Sequence, residues 1–256
     1  MKFVRYSLQG VVGFGTLDSE NRIQIMEGDM FSSPAATGKT LSLDQVKLLT
    51  PTSPGAMIAL WNNSMQQITK LNREVPKEAL WFLKPSSSFC THGDSIVYPR
   101  GETQRVVLEG ELGIVIGRTC RSIDASNAAE VIFGYTMIND VTAQDMVGRD
   151  STFPQYTRAK GFDTFGVFGP MIETDIDPMT LRIESYLNGR QCQNYPVSDL
   201  AFSPYQIVAE ISRTVTLRPG DVIACGTSLG VEPMQPGDTV EVRIEGIGSL
   251  INRVVE

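Results

Sequence analysis

Short apolar runs separated by turn-prone residues open the chain. Residues 3–17 and 22–28 alternate apolar and polar positions, and Asp-Ser-Glu-Asn at 18–21 favours a turn between them, so we predict strands on both sides. Residues 31–56 are rich in Ser, Thr, Pro and Gly, with one short candidate strand at 46–50. The first 55 residues are therefore predicted to form a small N-terminal β subdomain.

Apolar residues recur at helical spacing in two later segments. Residues 57–72 predict a strand followed by a helix, and residues 203–217 predict a second helix. Ser203 is a typical N-cap, and Pro204 fits the first helical position. The apolar stripes are Met65, Ile68 and Leu71 in the first helix and Ile207, Val208 and Ile211 in the second.

Strand-like runs fill most of the remaining sequence. They lie at 128–142, 222–227, 239–246 and 249–255, and the last three are flanked by Pro-Gly-Asp turns. The pattern predicts a β-rich α+β fold with few helices. Residues 56–256 are predicted to form a second, larger domain.

The run Leu-Glu-Gly-Glu-Leu-Gly-Ile-Val-Ile-Gly at 108–117 is an apolar strand that carries two glutamates. Side chains at i and i+2 share a face of an extended chain, so Glu109 and Glu111 lie side by side, opposite the apolar residues at even positions. Either this face meets solvent, or a cation lies between the two carboxylates. From the pattern alone, the solvent-facing strand is the favoured interpretation.

Composition and charge exclude several kinds of partner. The chain has 256 residues, a formal charge of −7 and a pI near 4.9, which disfavours nucleic acid and anionic membranes. No run of about 18 apolar residues predicts a transmembrane helix, and the first ten residues do not resemble a secretory signal. The four cysteines form no C-x-x-C pair, which favours reduced thiols, although four cysteines are enough for two disulfides. We expect a cytoplasmic protein.

A single histidine, His92, limits the possible chemistry. It excludes a histidine-rich zinc site, and no G-x-S-x-G motif accompanies it for a serine hydrolase. The remaining candidates are the carboxylates of Glu109, Glu111 and Asp140, the last at the end of an apolar strand. Three such oxygen ligands suit a hard cation such as Mg²⁺. Asp140 could equally be a turn residue.

Several segments, taken in order, resemble the fumarylacetoacetate hydrolase superfamily. They are FLKPSSSF at 82–89, EGELGIVIGR at 109–118, GYTMINDVTAQD at 134–145, RAKGFDTFGVFGP at 158–170 and PGDVIACGTSLGV at 219–231. The resemblance covers about residue 57 onwards and rests on several motifs in register. It implies a fumarylacetoacetate hydrolase-like fold with a β-sandwich or roll core, and a homodimer.

The resemblance also implies functions for individual residues. Glu109, Glu111 and Asp140 would bind a divalent metal, Mg²⁺ or Mn²⁺. Lys160 and Thr227 would be catalytic residues, with the lysine holding a substrate carboxylate or an enolate oxygen. From the residues alone, Lys160 could also be an ordinary loop lysine, and Thr227 could be a threonine in a turn. The implied substrate-binding residues are Lys160, Thr227, Gly226 and Gln155.

Parts of the sequence depart from the family pattern. Many members carry a histidine, followed three residues later by a glutamate, which activates a water molecule; Met65 and Ile68 stand at those positions here. Gln144 replaces a usual arginine, and Val147 replaces a usual glutamine. The metal-binding half of the pattern is therefore intact, while the water-activating and substrate-orienting half is altered.

The resemblance implies a metal-dependent enzyme that acts on a small 2-oxo or 1,3-dicarbonyl acid through a metal-bound enolate. Hydrolysis of a C–C bond, as in acylpyruvates or fumarylpyruvate, is the leading hypothesis because it is common in the family. Tautomerisation or decarboxylation of a 2-oxo acid is the alternative that the missing histidine favours. A metal-binding protein without catalytic turnover is a third.

Overall fold

The computed structural model describes residues 1–256, with 21 strands and four α-helices. The strands are β1 Lys2–Leu8, β2 Val11–Leu17, β3 Arg22–Glu27, β4 Ala35–Ser42, β5 Lys47–Leu48, β6 Met57–Trp61, β7 Leu80–Lys84, β8 Phe89–Cys90, β9 Ser95–Val97, β10 Val106–Leu108, β11 Gly110–Ile116, β12 Ile132–Asp140, β13 Thr142–Ala143, β14 Gly166–Phe168, β15 Met171–Glu173, β16 Arg182–Leu187, β17 Arg190–Pro196, β18 Val222–Ala224, β19 Glu232–Met234, β20 Thr239–Ile244 and β21 Gly248–Val255. The helices are α1 Met65–Lys70, α2 Gln144–Val147, α3 Tyr156–Lys160 and α4 Pro204–Thr214. Five short 3₁₀ helices lie at Leu43–Gln45, Ser86–Ser88, Ala125–Glu130, Pro178–Thr180 and Val197–Asp199.

The N-terminal strands form an antiparallel ladder from β1 to β4. The expected turn at 18–21 joins β2 to β3. β4 was not predicted, because its residues are mostly exposed and show no apolar alternation. β1 also pairs with β15, so these strands continue into the main sheet. The division of the chain near residue 55 stays a prediction.

β11 lies inside a 13-stranded sheet. The main path of this sheet runs β4-β3-β2-β1-β15-β12-β11-β18-β6-β7. β11 pairs antiparallel with β12 on one side, where Leu112 faces Met137, and with β18 on the other, where Gly113 faces Ala224. Both neighbours of β11 therefore come from segments that the sequence analysis predicted as strands.

A second sheet, in the order β17-β16-β20-β21-β9, packs against β11 and β12. Leu112 and Ile114 lie in one apolar cluster with Ile183 and Val242 of this sheet, as expected for the even positions of β11. Val115 points the opposite way, into a separate cluster with residues of β1 and β14. β11 is therefore buried on both faces. The β-rich α+β fold is confirmed.

The longest helix, α4, matches its prediction closely. Ser203 and Gln206 form a reciprocal capping box at its start, and its predicted apolar stripe is buried. The stripe predicted for α1 is wrong at two positions, since Ile68 is buried while Met65 and Leu71 are exposed. A six-residue helix presents only one turn to the core. None of the helices is long and apolar enough to cross a membrane.

Candidate active site

Pairing of β11 with β12 brings three carboxylates together. Glu109 lies between β10 and β11, Glu111 lies on β11, and Asp140 ends β12. The backbone N–H of Asp140 donates to the carbonyl oxygen of Glu109 at 2.8 Å, and that of Glu109 donates to Asn139 Oδ1 at 2.9 Å. One oxygen from each carboxylate lies within 4.8 Å of the others. The three predicted ligands therefore share one site.

This cluster lies in the protein interior. Glu111 and Asp140 are 1% and 0% exposed, and the side chain of Glu109 is 13% exposed. The solvent-facing strand favoured by the pattern alone is therefore wrong, because the sheets cover both faces of β11. Burial, reinforced by the neighbouring carboxylates, raises the pKa of Glu109 and raises that of Glu111 well above its ordinary value.

Two buried lysines face the carboxylates. Lys160 Nζ lies 2.6 Å from Glu109 Oε2 and 2.5 Å from Asp140 Oδ2, while Lys84 Nζ lies 2.5 Å from Asp140 Oδ1. Burial raises the pKa of Asp140, but the two ammonium groups outweigh it and hold that pKa below its ordinary value. Burial lowers the pKa of Lys160, but the carboxylates outweigh it and hold that pKa above its ordinary value.

Lys84 was not predicted as a site residue. It ends β7, where Phe82 and Lys84 are buried and Leu83 between them is exposed. A lysine on the buried face of an alternating strand is a signal for a partnered interior charge, because an isolated one is costly. Burial lowers the pKa of Lys84 despite the facing Asp140.

The ammonium of Lys160 contacts an aromatic ring from a distant strand. It lies over the ring of Phe82, 5.3 Å from its centroid. The phenylalanines that follow Lys160 in sequence include Phe165 and Phe168, which are fully buried in the core clusters. β7 therefore supplies both the aromatic ring beside Lys160 and the second lysine of the site.

The residues of this cluster fit a divalent cation. Three carboxylates face two ammonium groups, which leaves one negative charge in excess when all five are ionised. Hard oxygen ligands in this number suit Mg²⁺ or Mn²⁺. Glu111 is held in place by the backbone N–H of Gly226, which donates to its Oε2 at 2.6 Å. Glu109, Glu111 and Asp140 could therefore hold the ion.

The loop after β18 lies against β11. Thr227 Oγ1 donates to the carbonyl oxygen of Gly110 at 3.1 Å and accepts from Gln193 Nε2 at 2.8 Å. Gly226 adopts φ +97°, a conformation that disfavours other residues. Gly110 itself is required, because a Cβ there would lie 2.0 Å from Ser185 Oγ. Glycine at position 110 therefore leaves room for Ser185 of β16, and glycine at position 226 permits the backbone conformation in which its N–H donates to Glu111.

A cavity of about 320 Å³ opens beside this cluster. Its lining includes Glu109, Lys160 and Thr227, three of the predicted site residues. The other lining residues are Leu60, Trp61, Asn62, Gln67, Leu71, Arg73, Thr142, Gln144, Val147 and Tyr156. Gln144 and Val147, which depart from the family pattern, are thus part of the cavity wall.

Gln155, a predicted substrate-binding residue, directly precedes the cavity-lining Tyr156, and its role stays a prediction. It precedes α3, its side-chain Nε2 donates to the carbonyl oxygen of Phe153 at 3.0 Å, and it does not line the cavity. His92 lies elsewhere, where its Nδ1 accepts from the backbone N–H of Ile251 at 3.1 Å. The only histidine of the chain is therefore outside the candidate site.

Helix α1 presents a different residue to the cavity than the sequence comparison suggested. Gln67 lines the cavity, whereas Met65 lines a separate groove with Asp199 and Leu229. Ile68 is buried, with 2% of its surface exposed. The match of Met65 to the family histidine stays a prediction, but Gln67 is the α1 residue beside the candidate site.

A buried acidic cluster that could hold a metal ion, beside a polar cavity in a β-rich α+β fold, indicates the class of protein. The sequence profile described as "Fumarylacetoacetate (FAA) hydrolase C-terminal" matches residues 56–255, and that described as "Rv2993c-like, N-terminal" matches residues 1–51. An uncharacterized protein of Archaeoglobus fulgidus is 44% identical over 219 residues, 86% of each chain. The chain therefore belongs to the fumarylacetoacetate hydrolase family.

Solved structures of enzymes resemble the whole chain. The 5-carboxymethyl-2-hydroxymuconate delta-isomerase from Mycobacterium smegmatis is 37% identical, with a TM-score of 0.92 and coverage of 100% of this chain and 99% of that one. The maleylpyruvate hydrolase from Sphingobium sp. SYK-6, solved with manganese(II) and pyruvate, is 27% identical, with a TM-score of 0.81 and the same coverage. The family thus includes isomerases and hydrolases.

Proposed function

We propose that the chain is a divalent-metal-dependent enzyme that isomerises a small 2-oxo or 1,3-dicarbonyl acid through an enolate. The observation that carries this proposal is the composition of the cavity. The cavity lies beside a buried acidic cluster and a lysine ammonium, and no histidine lines its wall. Isomerisation needs the negative charge of the enolate stabilised and one proton carried from one carbon to another, whereas hydrolysis needs in addition a water molecule activated for attack.

Mg²⁺ or Mn²⁺ is the proposed cofactor, held by Glu109, Glu111 and Asp140. When bound, such an ion supplies Lewis-acid polarisation of a substrate carbonyl group. The manganese in the related maleylpyruvate hydrolase supports a metal of this class. A bound divalent cation would change the net charge of the cluster from one negative to one positive charge. The net positive charge is complementary to a substrate carboxylate or an enolate.

Lys160 and Thr227 are the proposed catalytic residues. Lys160 Nζ borders the cavity, and its raised pKa keeps the ammonium protonated at neutral pH. It can therefore donate a hydrogen bond to a substrate carboxylate or to the developing enolate oxygen. Thr227 Oγ1 borders the same cavity, where it can orient the substrate. Gly226 fixes Glu111 and the start of this loop, so it contributes through its backbone.

The proposed reaction differs from the hydrolysis that led the sequence hypotheses. C–C hydrolysis needs a general base within reach of a water molecule. His92 lies outside the cavity, and Gln67, which α1 presents to it, is not a base at neutral pH. The related isomerase at 37% identity supports isomerisation. Hydrolysis remains the second candidate because of the related maleylpyruvate hydrolase.

Product analysis with purified protein separates these reactions. The protein would be incubated with Mg²⁺ or Mn²⁺ and either an acylpyruvate or oxaloacetate, and the products followed by NMR and ultraviolet absorbance. Faster keto–enol exchange without cleavage supports isomerisation. Two acids from the acylpyruvate would support hydrolysis, and pyruvate with CO₂ from oxaloacetate would support decarboxylation. If no 1,3-dicarbonyl acid is turned over, the result would support the third hypothesis, a metal-binding protein without catalytic activity.

A cytoplasmic homodimer is the proposed state of the protein. β7 is an edge strand of the main sheet, and Trp81 and Leu83 on it are 37% and 46% exposed. An exposed apolar edge of this kind supports association with a second chain. Sedimentation equilibrium would test the dimer, with a monomer mass across the accessible concentrations as the contradicting result.

A further inference from the structure

Arg73 lies at the exposed side of the cavity, in the segment that follows α1. Its guanidinium lies over the ring of Trp61, 5.1 Å from the centroid, and its Nη1 donates to Asn62 Oδ1 at 3.4 Å. No carboxylate of the chain pairs with it within 4.0 Å. Arg73 is therefore an oriented cation that has no anionic partner within the protein.

Two neighbouring residues hold Arg73 in this position. Asn62 is 7% exposed and adopts φ +57° at the end of β6, and its Nδ2 donates to the carbonyl oxygen of Glu74 at 3.3 Å. It therefore contacts both Arg73 and the residue that follows. Stacking on Trp61 restricts the guanidinium further, because a cation is attracted to the face of an aromatic ring.

We propose that Arg73 determines substrate specificity by binding a second carboxylate, at the end of the substrate farthest from Lys160. This inference rests on the proposed function, which places the 2-oxo acid group beside Glu109 and Lys160. The lining of the same cavity includes both Lys160 and Arg73, so a bound molecule can meet two cationic groups. Arginine binds carboxylates through two parallel hydrogen bonds, which favours a dicarboxylic acid over a monocarboxylic one.

The walls between the two ends fit a short carbon chain. Leu60, Val147 and the rings of Trp61 and Tyr156 supply apolar surface to the cavity. The centroids of the Trp61 and Tyr156 rings are 5.6 Å apart, so the two rings contact each other. A molecule with two charged ends and an apolar or unsaturated middle is therefore complementary to the site, whereas a monocarboxylic acid leaves Arg73 without its partner.

Matched pairs of 2-oxo acids test this specificity. The affinities of the Mg²⁺-loaded protein for 2-oxoglutarate and 2-oxopentanoate would be measured by calorimetry, and likewise for the six- and seven-carbon pairs. Each pair shares the 2-oxo acid group and the chain length and differs in the distal carboxylate. At least one diacid should bind about tenfold more tightly than its matched monoacid, as expected for a charge-assisted hydrogen-bonded pair.

Variants then assign the preference to Arg73. Arg73→Gln should remove the preference for the diacid and leave the affinity for the monoacid unchanged. Trp61→Leu should reduce the preference less, because it releases the guanidinium but keeps its charge. Arg158→Gln is the control, since Arg158 is an exposed arginine on α3 that does not line the cavity. It should behave as the wild type.

The outcomes separate this inference from the proposed function. Binding of every diacid and monoacid with equal affinity would overturn the assignment of Arg73 and leave the proposed function standing. A diacid preference that survives in Arg73→Gln would also overturn it. Failure of all 2-oxo acids to bind the Mg²⁺-loaded wild type would contradict the proposed function itself, and the inference with it.

Discussion

The floor and the mouth of the cavity are built in different ways. The floor lies at the charged cluster, where Glu109 and Lys160 border the cavity. The other members of the cluster, Glu111, Asp140 and Lys84, are at most 3% exposed, and each of their charged groups has a partner. The mouth is formed by α1 and the segment after it, where Leu71 and Val75 are 48% and 52% exposed. The floor is fixed by the fold, whereas the mouth can change without disturbing the core.

This difference indicates where the chemistry and the specificity lie. The charged floor can bind a metal and stabilise an enolate, a step that isomerases, decarboxylases and hydrolases of 2-oxo acids share. Gln67 and Arg73 line the cavity at the mouth, and we propose that they determine which substrate binds and which second step follows. We therefore expect changes at the floor to remove all activity, and changes at the mouth to alter the reaction or the substrate.

Asp140→Asn should have the largest effect. It removes one predicted metal ligand, and it leaves Lys84 and Lys160 buried with too few negative partners. Activity should fall at least about a thousandfold, and the free energy of unfolding should fall by about 3 kcal/mol, as for a broken buried ion pair. Steady-state kinetics and urea unfolding would measure the two effects.

The control for this variant is Asp124→Asn, because the side chain of Asp124 makes no capping hydrogen bond to the 3₁₀ helix that follows. It should match the wild type in both assays. Unchanged stability of Asp140→Asn would contradict the pairing of Asp140 with two buried lysines.

Glu111→Gln should separate metal binding from stability. Glu111 contacts no lysine directly, and burial together with the neighbouring carboxylates raises its pKa. The neutral variant should bind Mg²⁺ at least about tenfold more weakly. Its metal-free form should be as stable as the wild type or more so, because a repulsive buried charge is removed. Calorimetric titration and thermal unfolding without metal would show whether the two effects diverge.

A matched control for Glu111→Gln is Glu130→Gln, at an exposed position away from the cavity. Marked destabilisation of metal-free Glu111→Gln would show that Glu111 acts as an ion-pair partner, like Asp140, and would remove the contrast between the two acids.

Gln67→His should have the smallest effect and should act at the mouth. It places a base on the α1 side chain that lines the cavity, so slow hydrolysis of an acylpyruvate should rise by about tenfold, less than a fully positioned base achieves. Met65→His is the matched control, because Met65 lines a different groove. A larger gain in Met65→His would favour the family alignment over the geometry.

The sequence predicted most of the fold, because its apolar patterns are local. The strand at 108–117 and the helix at 203–217 were predicted in the correct places, with the correct apolar faces. β4 was missed because its exposed residues leave no apolar pattern. The burial of Glu111 could not be predicted, because the segments that cover it lie far away in sequence.

Only the site residues that lie within recognisable sequence motifs could be predicted. The resemblance brought Glu109, Glu111, Asp140 and Lys160 together, and the structure places these residues in contact. Contacts between segments that are distant in sequence could not be predicted, because no local pattern indicates such a pairing. These include Lys84 with Asp140, 56 residues apart, and the approach of Phe82 to Lys160. Arg73 was missed for the same reason.

The central claim is that Glu109, Glu111 and Asp140 bind one divalent ion, and anomalous diffraction from crystals soaked in Mn²⁺ tests it most directly. The account predicts a single strong anomalous peak bonded to an oxygen of each carboxylate, with Lys160 beside it. The claim would be contradicted by crystals in which Mn²⁺ occupies other surfaces while these three side chains contact only Lys84, Lys160 and the backbone of Gly226.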